Sequence, residues 1–348
     1  MISYRKAHPG CLVFCPVLLS MKNILVIGGG TGTYTVLKGL RAFPVNLSVI
    51  ISMTDSGGSN KVLRDEFGLL PTSDIRQCIV ALASTRTNGL IRDLFTYRYS
   101  QGTGITGMTF GNLFMVALTD LYGSQEKAIE KTCQFLDVRG NILPVTFDNT
   151  NLVARYESGR QVLGEHLIDD PDETLGKQKI IELEVFPPAK ANPKALKAIK
   201  EADLIVIGPG DLYTSIICNL VVDNIGTAIK KSKAKKIYVL NLMNKFGQTN
   251  QFTADDYLSE IEKYLGKNTI DYCLVNTNHH FSKSTLKRYQ QENASLVVNN
   301  LRTTKRLKII KGDFVSEYIS DKVPGDRLKR SFIRHDSDKL AKAIYKLI

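Results

Sequence analysis

The chain has 348 residues, 43% of them hydrophobic and 23% charged, which suits one large or two modest globular domains and excludes a disordered chain. Its net charge of +12 would suit phosphate-rich ligands, RNA or an anionic surface. The cations are scattered, however, with the densest runs at 230–236, 305–311 and 326–334. No RNP, KH or zinc-finger pattern accompanies them, so they read as solvated faces and no nucleic-acid partner is expected.

In chain order, residues 1–20 resemble a short leader, with Arg5 and Lys6 before an apolar run broken by Pro16. A strand pattern begins just after Met21, so 1–20 is expected to be an upstream extension or disordered leader and 21–348 one α/β domain. Ile24–Ile27 is fully apolar and ends in glycines, as a parallel strand covered on both faces should be. Thr33–Ala42 reads as a helix and Leu47–Met53 as a second strand. Helices are expected over Asp74–Ser84, Leu90–Tyr99, Gly111–Leu121 and Ser124–Leu136. Short strands at Asn141–Thr146, Leu152–Ser158, Gln161–Gly164 and Lys179–Phe186, with a Ser158-Gly159 turn, predict an antiparallel insertion at about 141–187. The α/β alternation returns with helix Pro193–Glu201 and strands Leu204–Ile207, Lys236–Leu242 and Asp271–Val275. Residues 301–325 are basic and less regular, and Asp336–Leu347 closes the chain as a helix capped by Asp336 or Ser337. The fold class expected is a Rossmann-like, doubly wound, mostly parallel sheet with a small antiparallel insertion.

Two glycine-rich strand–helix junctions stand out. Gly28-Gly29-Gly30-Thr31-Gly32-Thr33 follows the first strand, and such a loop lets backbone N–H groups and a helix N-terminus hold phosphate. It departs from the dinucleotide fingerprint at its third glycine, where Thr33 stands, and no Walker A lysine follows. Gly208-Pro209-Gly210-Asp211 with Tyr213, Thr214 and Ser215 is the second junction. Loops at the carboxyl ends of parallel strands face one crevice, where open α/β sheets take ligands.

Asp55-Ser56-Gly57-Gly58 ends the second strand. Asp55 suits either ribose hydroxyls or a divalent cation such as Mg2+ held with a diphosphate. Asp74, with Ser73 beside it, suits a helix cap or the same crevice. Gly111-Asn112 opens an apolar helix and serves either the crevice or close helix packing.

Catalytic constellations are missing. There is no G-x-S-x-G elbow, and the adjacent His279 and His280 cannot readily converge on one ion. The six cysteines lack metal-ligand spacing, and Cys78, Cys133, Cys218 and Cys273 sit in apolar stretches as buried small hydrophobes of a reducing compartment.

Together GGGTGT, TDSGGSNKVLRDEFG, PTSDIRQCIVALA, GNLFMVAL, ILPVT, GEH, ADLIVIGPGDLYTSIICNL and NLMNKFGQT closely resemble the gluconeogenesis factors, from about Met21 to the end. The resemblance implies a cytoplasmic, non-enzymatic regulator that senses a UDP-sugar such as UDP-N-acetylglucosamine, with a role in cell shape and envelope growth. It implies envelope-synthesis regulatory proteins as candidate partners; a second copy of the chain is a further candidate because dimers are the commonest assembly, and no apolar run after the leader approaches the roughly 20 residues that span a bilayer. The related phospholactate transferases share the glycine loops and the acid after strand two. They imply the alternative, a divalent-metal-dependent transferase with its metal at Asp55.

The chain departs from the family pattern in several places. Asn60-Lys61-Val62 stands within the usual SSGRLR, Thr72-Ser73 within PPGDIR, Met108-Thr109 within GHS, and Phe246-Gly247-Gln248 within PGET. Near the end, Arg334-His335-Asp336 matches a family RHD. Arg334 suits either a diphosphate or a surface ion pair with Asp336. Tyr289 suits either stacking on a base or a place in the core.

Overall fold

The computed structural model describes residues 5–6, 12–13, 21–84, 89–317 and 332–348. Of the expected leader, only β1 (Arg5–Lys6) and β2 (Leu12–Val13) are described, and they pair antiparallel.

The frame is a seven-stranded, wholly parallel sheet. Its strands are β3 (Lys22–Gly28), β4 (Val45–Ile51), β5 (Asn141–Pro144), β9 (Leu204–Ile207), β10 (Lys235–Val239), β11 (Tyr272–Asn276) and β12 (Lys308–Gly312). Their order across the sheet is β12-β11-β10-β9-β3-β4-β5. The chain winds outward from β3 through β4 to β5, returns to the other side of β3 at β9, and then winds outward to β12. The order therefore reverses between β3 and β9, where doubly wound sheets open a crevice at their carboxyl ends. Ile24, Leu25, Val26 and Ile27 of β3 and all four residues of β9 are buried, as layers on both faces demand.

Helix Gly30–Leu40 packs against helices Ser73–Leu82 and Ser337–Tyr345, the last capped by Asp336, whose carboxylate accepts from the Asp338 and Lys339 amides. Helices Pro193–Glu201, Ile225–Lys231 and Ala254–Leu265 form a second packed group. Helices Gly89–Thr96, Phe110–Tyr122 and Gln125–Phe135 build an aromatic satellite around Phe95, Phe110, Phe114 and Phe135. Cys78, Cys218 and Cys273 are buried thiols, and Cys133 is half-buried.

The insertion is a three-stranded antiparallel sheet of β6 (Asn151–Tyr156), β7 (Gln161–Leu163) and β8 (Ile180–Phe186), with order β7-β6-β8. Short helices Glu165–Asp169 and Glu173–Gly176 link β7 to β8.

Three expectations are corrected. Residues 141–146 are not part of the insertion, because β5 pairs parallel with β4 as the edge of the main sheet, Ser48 to Asn141 through Ile51 to Pro144. A four-residue apolar run carries too little pattern to separate the two, and Pro144 is tolerated because an edge strand has one side unpaired. Residues 308–312, read as irregular, form the opposite edge, where exposed lysines suit a strand open on one side. Helix Gly58–Phe67 was hidden by the loop-like Gly57-Gly58-Ser59 opening, and it ends at Gly68 in the left-handed conformation (φ 64°).

Candidate functional site

The helix after β3 starts inside the glycine loop itself, at Gly30, so its first amides belong to that loop. The second junction follows β9 and continues as a wide helical turn over Leu212–Ile217. The two junctions touch. A Cβ placed on Gly32 would stand 2.1 Å from the Pro209 carbonyl oxygen, so no larger residue fits this contact. A Cβ on Gly29 would stand 2.6 Å from Asp74 Oδ2 and 3.6 Å from Ser215. Asn219 ties the loops further, its Nδ2 donating to the carbonyls of Gly28 (3.4 Å) and Ser215 (2.9 Å). Asn241 Nδ2 donates to the Gly210 carbonyl at 2.8 Å.

Asp55 lies just beyond β4. The Gly57 amide donates to its Oδ1 at 2.8 Å and Asn60 Nδ2 to its Oδ2 at 2.5 Å. Burial pushes its carboxyl above the usual range, against the pull of those two donors, and the Asp169 charge adds to the rise. Gly57 and Gly58 open the next helix, and Gly58 adopts φ 50° with open space around it.

The insertion reaches over this loop. The Ser56 amide donates to Glu165 Oε2 (3.4 Å), and the His166 amide donates to Ser56 Oγ (3.1 Å). Burial, then the charges of Asp55 and Asp169, push the Glu165 carboxyl well above its ordinary range.

A third group joins the insertion to the second glycine junction. Lys245 Nζ lies 2.5 Å from Asp169 Oδ1 and 2.8 Å from Asp211 Oδ2. Asp169 Oδ1 also accepts from Thr214 Oγ1 and Gln248 Nε2, both at 2.9 Å. Burial opposes the Lys245 charge, but the carboxylates of Asp211 and Asp169 outweigh it and hold the ammonium well above its ordinary range. Burial likewise opposes the Asp169 charge, and Lys245 with the two polar donors overcomes it and lowers that carboxyl. The crevice rim is thus rich in carboxylates, and an anion placed at the glycine junctions would meet backbone amides and helix ends.

The sequence candidates separate into two sets. The structure brings together Gly28 to Thr33, Asp55 to Gly58, Asp74, and the second junction with Pro209, Gly210, Thr214 and Ser215. The Thr33 hydroxyl already donates to the Gly29 carbonyl (3.4 Å), and the Thr214 hydroxyl to Asp169.

Four candidates stand elsewhere, and Arg334 is placed by its backbone alone. Tyr213 is fully buried and its hydroxyl donates to the Ile180 carbonyl, because the helical turn after Asp211 directs it into the core. Gly111 serves close packing, since a Cβ there would stand 2.7 Å from the Arg76 side chain and 2.8 Å from the Phe95 carbonyl oxygen. Asn112 is buried behind it and accepts from Arg76 Nε at 3.1 Å. Tyr289 is 4% exposed in a small second core with Leu242, Met243, Val315 and Ile333. Its hydroxyl accepts from the Phe332 and Ile333 amides, both at 2.9 Å, so the ring is not presented for stacking on a base. Arg334 is half-buried beside this core, its carbonyl accepting from the Ser316 amide at 2.9 Å. Ser73 and Asp74 do not cap their helix; Thr72 holds the cap position without a side-chain cap bond.

Sequence reasoning missed Glu165, Asp169, Lys245, Gln248 and the buried Asn60. GEH and NLMNKFGQT were visible as motifs, but nothing in their spacing placed them beside β3 and β9. Among the described residues no group of three or more His, Cys, Asp or Glu is placed to hold a metal ion. An ion at Asp55 would therefore depend on oxygens of the ligand itself. Among them, too, no helix is long and apolar enough to cross a membrane.

A Thermotoga maritima relative is 40% identical over 329 residues, covering 93% of this chain and 99% of the relative. The gluconeogenesis factor of Bacillus subtilis is 35% identical over 326 residues, 94% of this chain and 98% of that protein. The crystal structure of a Bacillus halodurans protein of the UPF0052 family superposes with a TM-score of 0.84 at 34% identity, over 94% of this chain and 99% of that one. The family profile described as 2-phospho-L-lactate transferase CofD matches residues 24–315. With this fold and these matches, the chain belongs to the CofD family, alongside the relatives that carry the gluconeogenesis factor name.

Proposed function

We propose that this protein is a regulator that binds a nucleotide-sugar, of the UDP-N-acetylglucosamine type, across the crevice between β3 and β9. It then acts on cell shape and envelope growth when gluconeogenic carbon is used. The observation that carries the reading is the contact between the two glycine junctions at Gly32 and Pro209, where the strand order reverses. A diphosphate laid there meets the amides of Gly29 to Gly32 and the N-terminus of helix Gly30–Leu40, which favour negative charge without a cationic side chain. The carboxylates on the rim, Asp55 first, suit sugar hydroxyl donors, since an ionised carboxylate only accepts. The gluconeogenesis factor name of the relatives supports the physiological setting.

Thermal shift against UDP-N-acetylglucosamine, UDP-glucose, GDP and NADH, with and without magnesium, tests it. A ligand at a hundred times its dissociation constant stabilises the fold by roughly 2.7 kcal/mol. A shift with UDP-sugars that needs no metal is the expected result. No shift with any uridine nucleotide at millimolar concentration would end this reading.

The family description supports a second reading, a phospholactate-type transferase. In that case Asp55 would hold a divalent ion together with ligand phosphates. Metal-dependent turnover of a nucleotide-activated phospholactate that is lost in Asp55→Ala is its signature.

A further inference from the structure

Asn60 is 2% exposed in the first turn of helix Gly58–Phe67, and both ends of its amide are used. Nδ2 donates to Asp55 Oδ2 at 2.5 Å. Oδ1 accepts from the Thr72 amide (3.3 Å), the Ser73 amide (3.3 Å) and the Ser73 hydroxyl (2.9 Å). The first amides of helix Ser73–Leu82 are thus satisfied by a side chain from a different helix, in a position where Thr72 supplies no cap. Behind Ser73 the chain of contacts continues. Asn112 Nδ2 donates to Ser73 Oγ (3.3 Å), and Arg76 Nε donates to Asn112 Oδ1 (3.1 Å).

We propose that Asn60, locked by Ser73, is a positioning residue that aims the Asp55 carboxylate into the crevice and so sets affinity for the hydroxyl-bearing part of the ligand. This rests on the nucleotide-sugar reading above. The chemistry is selective for an amide. One end donates to a carboxylate while the other accepts from three N–H and O–H groups; an ionised carboxylate cannot donate, and a hydroxyl donates and accepts from a single atom, so it does not span the two sites. Asn60 and Ser73 are both departures from the family pattern, and the structure places them in direct contact. They act as a matched pair in this chain.

The discriminating variant is Asn60→Asp. It keeps an acceptor for the three donors of the second helix and removes only the donor to Asp55, setting a like charge beside it. Calorimetric titration of the full chain with UDP-N-acetylglucosamine should show affinity at least tenfold weaker, alongside a lowered melting temperature, because the variant buries a second carboxylate beside Asp55. A purely structural Asn60 would move the melting temperature and leave the affinity alone. Wild-type affinity in Asn60→Asp, with affinity lost in Asp55→Ala, would overturn the positioning role and leave the ligand reading intact.

If the wild-type chain binds no nucleotide-sugar, the ligand reading falls, and a ligand-free cycle decides the contact. Melting temperatures of Asp55→Ala, Asn60→Ala and the double variant are compared. A double loss no larger than the greater single loss supports the pair, because the two side chains then act as one unit. Additive losses overturn it.

Discussion

Gly32→Ala is the sharpest perturbation of the crevice. The new methyl carbon would lie 2.1 Å from the Pro209 carbonyl oxygen, 2.7 Å from its carbon and 3.3 Å from the Gly210 nitrogen. All three are backbone atoms, so no side chain can swing away, and the two glycine junctions must separate by about an ångström to reach ordinary contact distance. Overpacking of this kind costs about 1–3 kcal/mol, and a backbone neighbour puts this site at the upper end. In a chain of this size that is a fall in melting temperature on the order of 5 °C. Gly68→Ala is the control. It ends helix Gly58–Phe67 in the left-handed conformation, with nothing within 4 Å of its Cβ, so its cost is confined to the left-handed backbone, about 1–2 kcal/mol. Differential scanning fluorimetry reads both, and titration with UDP-N-acetylglucosamine reads binding. Gly32→Ala should lose stability and weaken binding at least tenfold, while Gly68→Ala loses only stability. A Gly32→Ala protein within about 0.5 kcal/mol of wild type, the range of ordinary surface substitutions, would refute the contact between the junctions and with it the crevice argued from it.

Burial depresses the His335 imidazole to about 4, with a hydrogen bond to the Leu240 backbone opposing the shift. The unfolded chain therefore takes up a proton, below about pH 6.5, that the folded chain refuses. Stability from this group is complete above that pH and is lost as pH falls toward 4, by up to about 3 kcal/mol; urea unfolding at pH 7 and pH 5, compared with His335→Gln, measures it. Tyr289→Phe keeps the ring and removes the hydroxyl that serves the Phe332 and Ile333 amides. It should cost about 1–3 kcal/mol of stability without changing nucleotide-sugar affinity, and an unchanged melting temperature with weakened binding would return Tyr289 to the ligand. Lys245→Met leaves Asp169 and Asp211 facing each other without their shared cation. These groups are about a third exposed, so screening should hold the loss to about 1–2 kcal/mol, and it should shrink as added salt screens the two carboxylates; a loss independent of ionic strength would argue against the charge explanation.

Much of the frame is legible in the sequence because it rests on local pattern. Fully apolar four-residue runs ending in glycine, at Ile24–Ile27 and Leu204–Ile207, predict covered parallel strands, and both are. The Ser158-Gly159 turn predicts the β6–β7 hairpin, and Gly159 adopts the φ of 83° that the turn needs. The glycine junctions are recognisable because close backbone approach leaves a compositional trace that no other residue can supply. The edge strands were harder to read, since β5 and β12 have one partner each and short runs without strict alternation.

What the sequence alone determined is the alternation of strands and helices, the family, and the two junctions at which backbone amides gather. Those features come from hydrophobic periodicity and from glycine, and both act over a few residues. Only the tertiary structure decided which polar side chains meet there. Asp169 and Lys245 are 76 residues apart and Asn60 and Ser73 are 13 apart, and no local rule relates such pairs. It also decided that Tyr213 and Tyr289 face inward, because a tyrosine satisfies its hydroxyl on a buried backbone group as readily as on a ligand. The direction it takes is set by packing against elements that arrive from elsewhere in the chain.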